Sequence, residues 1–210
     1  MDPLSRKKFI AVGGGTSLAA FLAACGGGGS STTTTTASAP TNNGKESETE
    51  QFGKGDIGIL NYALTLEYLE ATFYEEVVKS GLFKGEELAV LKKFGAEEKE
   101  HVETLHGTVI KLGGKPAPKP RTKFPLKDAK SVAELAGTVE NLGAAAYLGQ
   151  ATNIESPEVL AAALSIHSVE ARHAATLNTL LKMPITPNGA FAAPADVQTV
   201  LKSVEPFIVG

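Results

Sequence analysis

Along four long stretches of this chain, apolar residues recur at alternating steps of three and four, the spacing of a helix that buries one face. The first stretch runs from about Asp56, which has the chemistry of an N-cap, to Ser80, with Gly81 as its stop. The second covers about Glu86 to Leu112 and halts at Gly113, Gly114 and Pro116. The third opens with the capping box Ser131-Val132-Ala133-Glu134 and continues to about Ala151. The fourth begins at Ser156-Pro157-Glu158, a cap followed by proline, and ends near Lys182 ahead of Pro184. The connections at 81–85 and 152–155 are short, so each joins antiparallel neighbours, whereas GGKPAPKPRTKFPLKDAK is long enough to cross a bundle. The pattern predicts an all-α fold: a four-helix bundle over residues 55–183, built from two helical hairpins joined by a crossover. Residues 184–210 form a proline-containing tail with a short helix expected from Ala195 to Ser203.

Two of the apolar stripes are broken by polar residues at matching places. In the second helix the stripe reads Leu91, Phe94, Glu98, His101, Leu105, Val109, Leu112; in the fourth it reads Ala163, Ile166, Glu170, His173, Leu177, Leu180. Laying EKEHVETLH (98–106) over EARHAATLN (170–178) aligns E-x-x-H-x-x-T-L in both and sets His106 against Asn178. The repeat extends backwards. The first helix carries Glu67 and Tyr74, the third Glu140 and Tyr147, each pair seven residues apart. Glu67 to Glu98 spans 31 residues and Glu140 to Glu170 spans 30, so each hairpin holds one copy of E-x6-Y followed by E-x-x-H. Glu70 also lies on the first helix's stripe, but its repeat mate is Gly143, which leaves an unmatched fifth acid.

Ionised carboxylates turned into a core without partners cost several kcal/mol each, comparable to the stability of a domain. Two divalent cations fit the inventory. Glu67 and Glu140 would be terminal ligands, Glu98 and Glu170 bridges, and His101 and His173 one imidazole per metal, since residues three apart share a helical face. The competing reading is a set of salt bridges in a purely structural bundle. For Tyr74 and Tyr147 the competing reading is ordinary core packing. His106 and His167 read as edge residues, with an outer shell of the acids the alternative for His167, one turn before Glu170; Glu97, Glu100 and Glu103 read as a solvated face, and the run LGAAAYLG (142–149) as a surface for close helix packing.

Composition narrows the chemistry further. Of 210 residues 42% are hydrophobic and the net charge is −3, so one core can be filled and no basic stripe offers itself to nucleic acid. The single cysteine, Cys25, excludes an intrachain disulfide or a thiolate cage, so any metal is held by oxygen and nitrogen. Residues 1–25 read as an export signal: Arg6, Lys7 and Lys8, then a short apolar stretch from Phe9 to Ala24. Leu22-Ala23-Ala24-Cys25 resembles a bacterial lipobox, which implies a lipid on Cys25 and a membrane-anchored protein of the cell envelope. Ser5-Arg6-Lys7-Lys8-Phe9-Ile10 resembles a twin-arginine signal with lysine in place of the second arginine. Residues 26–54, rich in Gly, Ser and Thr, read as a disordered tether with a reach on the order of 30 Å.

At its repeated acids and histidines the chain resembles the ferritin-like superfamily, and in particular exported bacterial ferritin-like domain proteins related to plant desiccation-related proteins. By position, the resemblance implies metal ligation by Glu67, Glu98, His101, Glu140, Glu170 and His173. It places Tyr74 and Tyr147 behind the ligands as hydrogen-bond donors to them. Glu70 departs from the pattern, and three places are open to it: in the stead of Glu67, beside the ligands as a further one, or at a wet end of the core. Two divalent ions are implied, iron or manganese, with zinc an alternative of overlapping ligand chemistry. The implied small substrates are dioxygen, peroxide or ferrous iron, in ferroxidase-like or manganese-catalase-like chemistry under stress. A non-enzymatic, stress-protective or metal-sequestering envelope protein is the alternative, and the resemblance also allows a homo-oligomer.

Overall fold

The computed structural model describes residues 48–209, all but the first 47 residues and Gly210. The stretch read as an export signal, Cys25 and most of the stretch read as a tether therefore lie outside the described residues. Within them are five α-helices and no β-strand: α1 (Gly55–Lys79), α2 (Gly85–Lys111), α3 (Ala129–Gln150), α4 (Pro157–Leu180) and α5 (Val197–Val204). The two hairpins, α1 with α2 and α3 with α4, are the closely packed pairs, and α1 lies against α3. No helix among the described residues is long and apolar enough to cross a membrane.

Two helix starts differ from the sequence reading. The N-cap of α1 is Lys54, with no side-chain cap bond, and Asp56 sits inside the first turn. Its carboxylate instead accepts hydrogen bonds from the backbone N–H groups of Glu155 and Ser156, both at 2.8 Å, tying the start of α1 to the α3–α4 loop. The third helix starts earlier than Ser131. Asp128 is its N-cap and accepts from Ser131 N at 2.9 Å, because a short carboxylate reaches a free N–H there as well as a serine hydroxyl does. The start of the fourth helix follows the sequence: Ser156 caps it, accepting from Val159 N, and Pro157 follows. Leu112 and Leu180, the last members of their stripes, are exposed, Leu112 as the C-cap residue of α2 and Leu180 as the last residue of α4.

The chain is folded from residue 48, ahead of the expected start of the bundle at 55. Glu50–Phe52 form a single 3₁₀ turn, Thr49 is fully buried, and the Phe52 ring meets Tyr62 at 5.7 Å. At the other end the tail is folded too. Asp196 caps α5, whose Val197, Val200 and Val204 are buried, and Ala195 N donates to Ala145 O on α3 at 2.9 Å. Gly149 makes this approach feasible: a Cβ there would stand 2.0 Å from the Ala195 carbonyl oxygen. The crossover and the chain's end pair through Lys123 N to Phe207 O and Val209 N to Arg121 O, both 2.9 Å, while Phe124 packs between Phe73 and Phe207.

The apolar interior falls into two clusters. One gathers Phe73, Val77, Phe94 and Phe124 with the inner face of α5; the other gathers Leu60, Leu64, Leu105, Val109 and Ile166. Along α1, Leu60, Ala63 and Leu64 belong to one cluster and Tyr62, Leu66, Leu69, Phe73 and Val77 to the other, and the acids Glu67 and Glu70 are buried in mid-helix among them. A polar layer thus interrupts the core near the middle of the bundle.

Candidate metal centre

Each main helix delivers its acid to that layer by its own apolar register, because the flanking stripe residues fix the rotation of the helix. Glu67, Glu98, Glu140 and Glu170 are 0% exposed, His173 3% and His101 9%. The six converge in two groups of four, Glu67–Glu98–His101–Glu170 and Glu98–Glu140–Glu170–His173, with the facing oxygen and nitrogen atoms of each group within 4.8 Å of one another. Glu98 and Glu170 are common to both. The arrangement repeats the two-fold pattern of the sequence: each hairpin gives a terminal acid, a shared acid and an imidazole.

His101 Nδ1 lies 3.2 Å from Glu67 Oε2, 3.0 Å from Glu98 Oε2 and 3.2 Å from Glu170 Oε1. His173 Nδ1 lies 2.9 Å from Glu98 Oε1 and 3.2 Å from Glu140 Oε2. One ring nitrogen carries at most one proton, so it cannot satisfy two or three carboxylates. Accordingly, Glu98 Oε1 and both oxygens of Glu170 are buried without a hydrogen bond of acceptable geometry. Buried carboxylate oxygens left in this way are costly, and oxygen and imidazole nitrogen are the donors that iron and manganese accept. The residues present therefore fit a pair of metal ions.

Behind the six stand the two tyrosines, crossed between hairpins. Tyr147 of α3 donates to Glu67 Oε1 at 2.5 Å, and Tyr74 of α1 donates to Glu140 Oε1. Burial, then the neighbouring acids, raise both phenols well above their ordinary range, so the hydroxyls keep their protons and remain donors. Glu70 is buried at 3% exposure but belongs to neither group of four. A Cβ on Gly143 would stand 2.9 Å from Glu70 Oε1 and 3.0 Å from Glu170 Oε2. The glycine that breaks the repeat is thus what admits the unmatched acid beside a shared one.

Burial raises the Glu67 carboxyl to about 7, although His101 opposes it, and lifts Glu70 and Glu170 well above the carboxylate range. Burial also raises Glu140. For Glu98 burial is outweighed by the two imidazoles, which bring it down to about 2. Burial works against charge on His101 and His173, but the facing carboxylates outweigh it and raise them to about 12 and about 10. Among the described residues no lysine is ion-paired with the six: Lys79–Glu75 and Lys130–Glu134 lie on the surface, and Lys93 pairs with Glu97 at the cluster's edge.

Glu97 corrects the reading of a simple solvated face. Half-buried, it lies 2.9 Å from His173 Nε2 and takes a 2.5 Å bond from Lys93 Nζ, so it orients the imidazole from outside the cluster. Burial pushes its carboxyl up, yet Lys93 and His173 outweigh this and hold it below the usual range. Phe94 stacks on the same ring with centroids 3.9 Å apart. His167 is away from the cluster and bonded to the backbone, its Nδ1 2.9 Å from Ala144 O, and His106 is half-buried.

The sequence matches the family model described as "Ferritin-like domain" over residues 55–183. The chain belongs to the ferritin-like domain family. This ferritin-like protein is also similar in structure to the protein rv2844 of Mycobacterium tuberculosis, titled a conserved hypothetical protein. That similarity has a TM-score of 0.55 at 19% identity, covering 60% of this chain and 96% of that one. Identity that low speaks for the shared fold alone. No curated protein matches the ferritin-like chain in sequence.

Proposed function

We propose that this ferritin-like protein holds two iron or manganese ions between its hairpins and uses them to handle dioxygen or peroxide at the cell envelope. The observation that carries the reading is the sharing of Glu98 and Glu170 by two donor groups, with three of their four oxygens left without a hydrogen bond. Glu67 and His101 would help to hold one ion and Glu140 and His173 the other, with Glu98 and Glu170 available to both. Redox-active ions supply electron transfer to small oxygen species, which carboxylates cannot do themselves. The chain's own part is to fix ligand direction through Tyr74, Tyr147 and Glu97, and to keep bulk water out with the two apolar clusters.

Placement at the envelope is carried by the basic start, the apolar stretch and the lipobox-like Leu22-Ala23-Ala24-Cys25. A lipid on Cys25 would hold the bundle to the outer side of the cytoplasmic membrane through the tether. A Cys25→Ser chain is expected to leave the membrane fraction, and its continued partition with membranes would remove the anchor from this reading.

Elemental analysis of the purified protein tests the centre. The expected result is about two equivalents of iron or manganese per chain, lost in a Glu98→Ala, His101→Ala double variant. A folded wild-type protein that takes up neither metal would defeat the proposal. Peroxide consumption, or oxygen-dependent oxidation of bound ferrous ions, then separates a catalyst from a metal-holding scaffold.

A further inference from the structure

A cavity of about 20 Å³ lies to one side of the acid cluster, lined among others by Ala63, Leu66, Leu105, Ala146, Tyr147 and Ala163. Hardly any polar surface faces it. Tyr147 connects it to the site: its ring lines the cavity while its hydroxyl holds Glu67 at 2.5 Å. The walls come from the turns that carry the proposed ligands. Leu66 directly precedes Glu67, Ala63 is one turn before it, and Leu105 is one turn beyond His101.

The internal repeat supplies a control within the same molecule. Registering Glu140 on Glu67 and Glu170 on Glu98 sets Ala146 on Phe73, Ala163 on Leu91 and Ile166 on Phe94. Around Tyr74 the larger side chains fill the space, with the rings of Phe73 and Phe94 at 5.3 and 5.9 Å from its own and Leu91 buried beside them. Around Tyr147 alanines stand where phenylalanine and leucine stand in the other half. The void therefore follows from residue choice at these positions and is not imposed by the fold.

Such a void clears the roughly 10–15 Å³ that one water-sized particle needs. Tyr62 and Gln150 are among its lining residues, but the surface turned to it is almost wholly apolar, and an apolar cavity of this kind stays dry and takes apolar guests. Peroxide would forfeit hydrogen bonds there, and a ferrous ion its hydration. An apolar diatomic gas forfeits neither. We propose that the cavity beside Tyr147 binds dioxygen and delivers it to the acid cluster. The choice of dioxygen rests on the di-metal reading above; the capacity for an apolar guest does not.

Xenon is the probe for the cavity. Crystals of the metal-free protein under xenon pressure are expected to show an anomalous peak between Ala63, Ala146 and Ala163. Ala163→Leu, which installs the residue found at the mate position Leu91, should abolish that peak, and the milder Ala163→Val should weaken it if the leucine variant fails to fold. A wild-type protein without the peak, or a peak undiminished in the folded variants, overturns the proposal. Delivery is read in iron-loaded protein. At low oxygen the alanine-163 variants should oxidise bound ferrous ions several-fold more slowly, with unchanged iron stoichiometry and an unchanged rate with peroxide. Equal slowing with both oxidants, or with neither, overturns delivery. A wild-type chain that takes up no metal defeats the di-metal reading and with it the assignment of dioxygen, whatever xenon shows.

Discussion

Glu98 and Glu170 each face both imidazoles, and no assignment of two ring protons satisfies all the oxygens that converge there. That imbalance is local and survives any description of the rest of the fold. The tyrosines bear on it directly. Tyr147→Phe removes the only donor shown to Glu67 Oε1 while keeping the ring that fills the core, so the fold should persist and metal affinity should fall about tenfold or more. Competition with a chelator of known affinity measures the change, and unaltered affinity would reduce Tyr147 to a packing residue. Glu98, His101, Glu170 and His173 were legible in the sequence because an apolar stripe was interrupted at the same phase in both hairpins, and Glu67 and Glu140 because each precedes a tyrosine by seven residues at a matching distance from those interruptions. Glu97 was not. It lies one position off the stripe, its mate in the repeat is Val169, and its bond to His173 is made across helices, where helical periodicity carries no information.

At the scale of single elements, the existence and order of the helices followed from periodicity, while their ends depended on which of several neighbouring polar residues reaches a free N–H. Asp128 and Ser131 are both good caps on composition, and only geometry separates them: Asp128 Oδ1 accepts from Ser131 N, whereas the Ser131 hydroxyl donates to the Asp128 carbonyl. Asp128→Ala is expected to cost about 1 kcal/mol in a urea melt, and Ser131→Ala clearly less. The reverse order would restore the serine as the cap. The end of α4 carries a second test. Lys182 has a left-handed φ of 58°, with Lys182 N donating to Thr179 O and Met183 N to Asn178 O, the closing bonds of a helix that usually ends in glycine. Because the exposed Lys182 bears a Cβ in that region, Lys182→Gly should raise stability by about 0.5–1 kcal/mol in the same assay.

Over the whole molecule, sequence patterning anticipated the hairpins and their crossover but not the closure of the tail against α3 and the crossover, which rests on isolated backbone pairs such as Lys123 with Phe207. What patterning did expose was a surplus of buried acid, and its consequence is global because protons and metal ions compete for the same groups. In the metal-free molecule Glu67 is raised to about 7 from 4.5, and Glu70, Glu140 and Glu170 are also raised by burial. His173 stands at about 10 and His101 at about 12 against an ordinary 6.5. A group raised on folding contributes stability that is complete below its unfolded pKa and is lost as pH climbs through the folded one. Glu98, lowered to about 2, acts oppositely, but its contribution is lost only as pH falls below 4.5. Between about pH 5 and pH 8 the folded chain therefore binds more protons than the unfolded one, and metal-free stability declines with rising pH. Metal binding displaces those protons, so affinity rises over the same interval. Thermal melts of one preparation, chelated and reloaded, should show the chelated protein melting lower at about pH 8 than at about pH 5.5, with the gain from metal largest at the higher pH. A chelated protein indifferent to pH would show that the buried acids and imidazoles do not hold these protons. A gain from metal that shrank as pH rose would show that the ions bind somewhere other than among them.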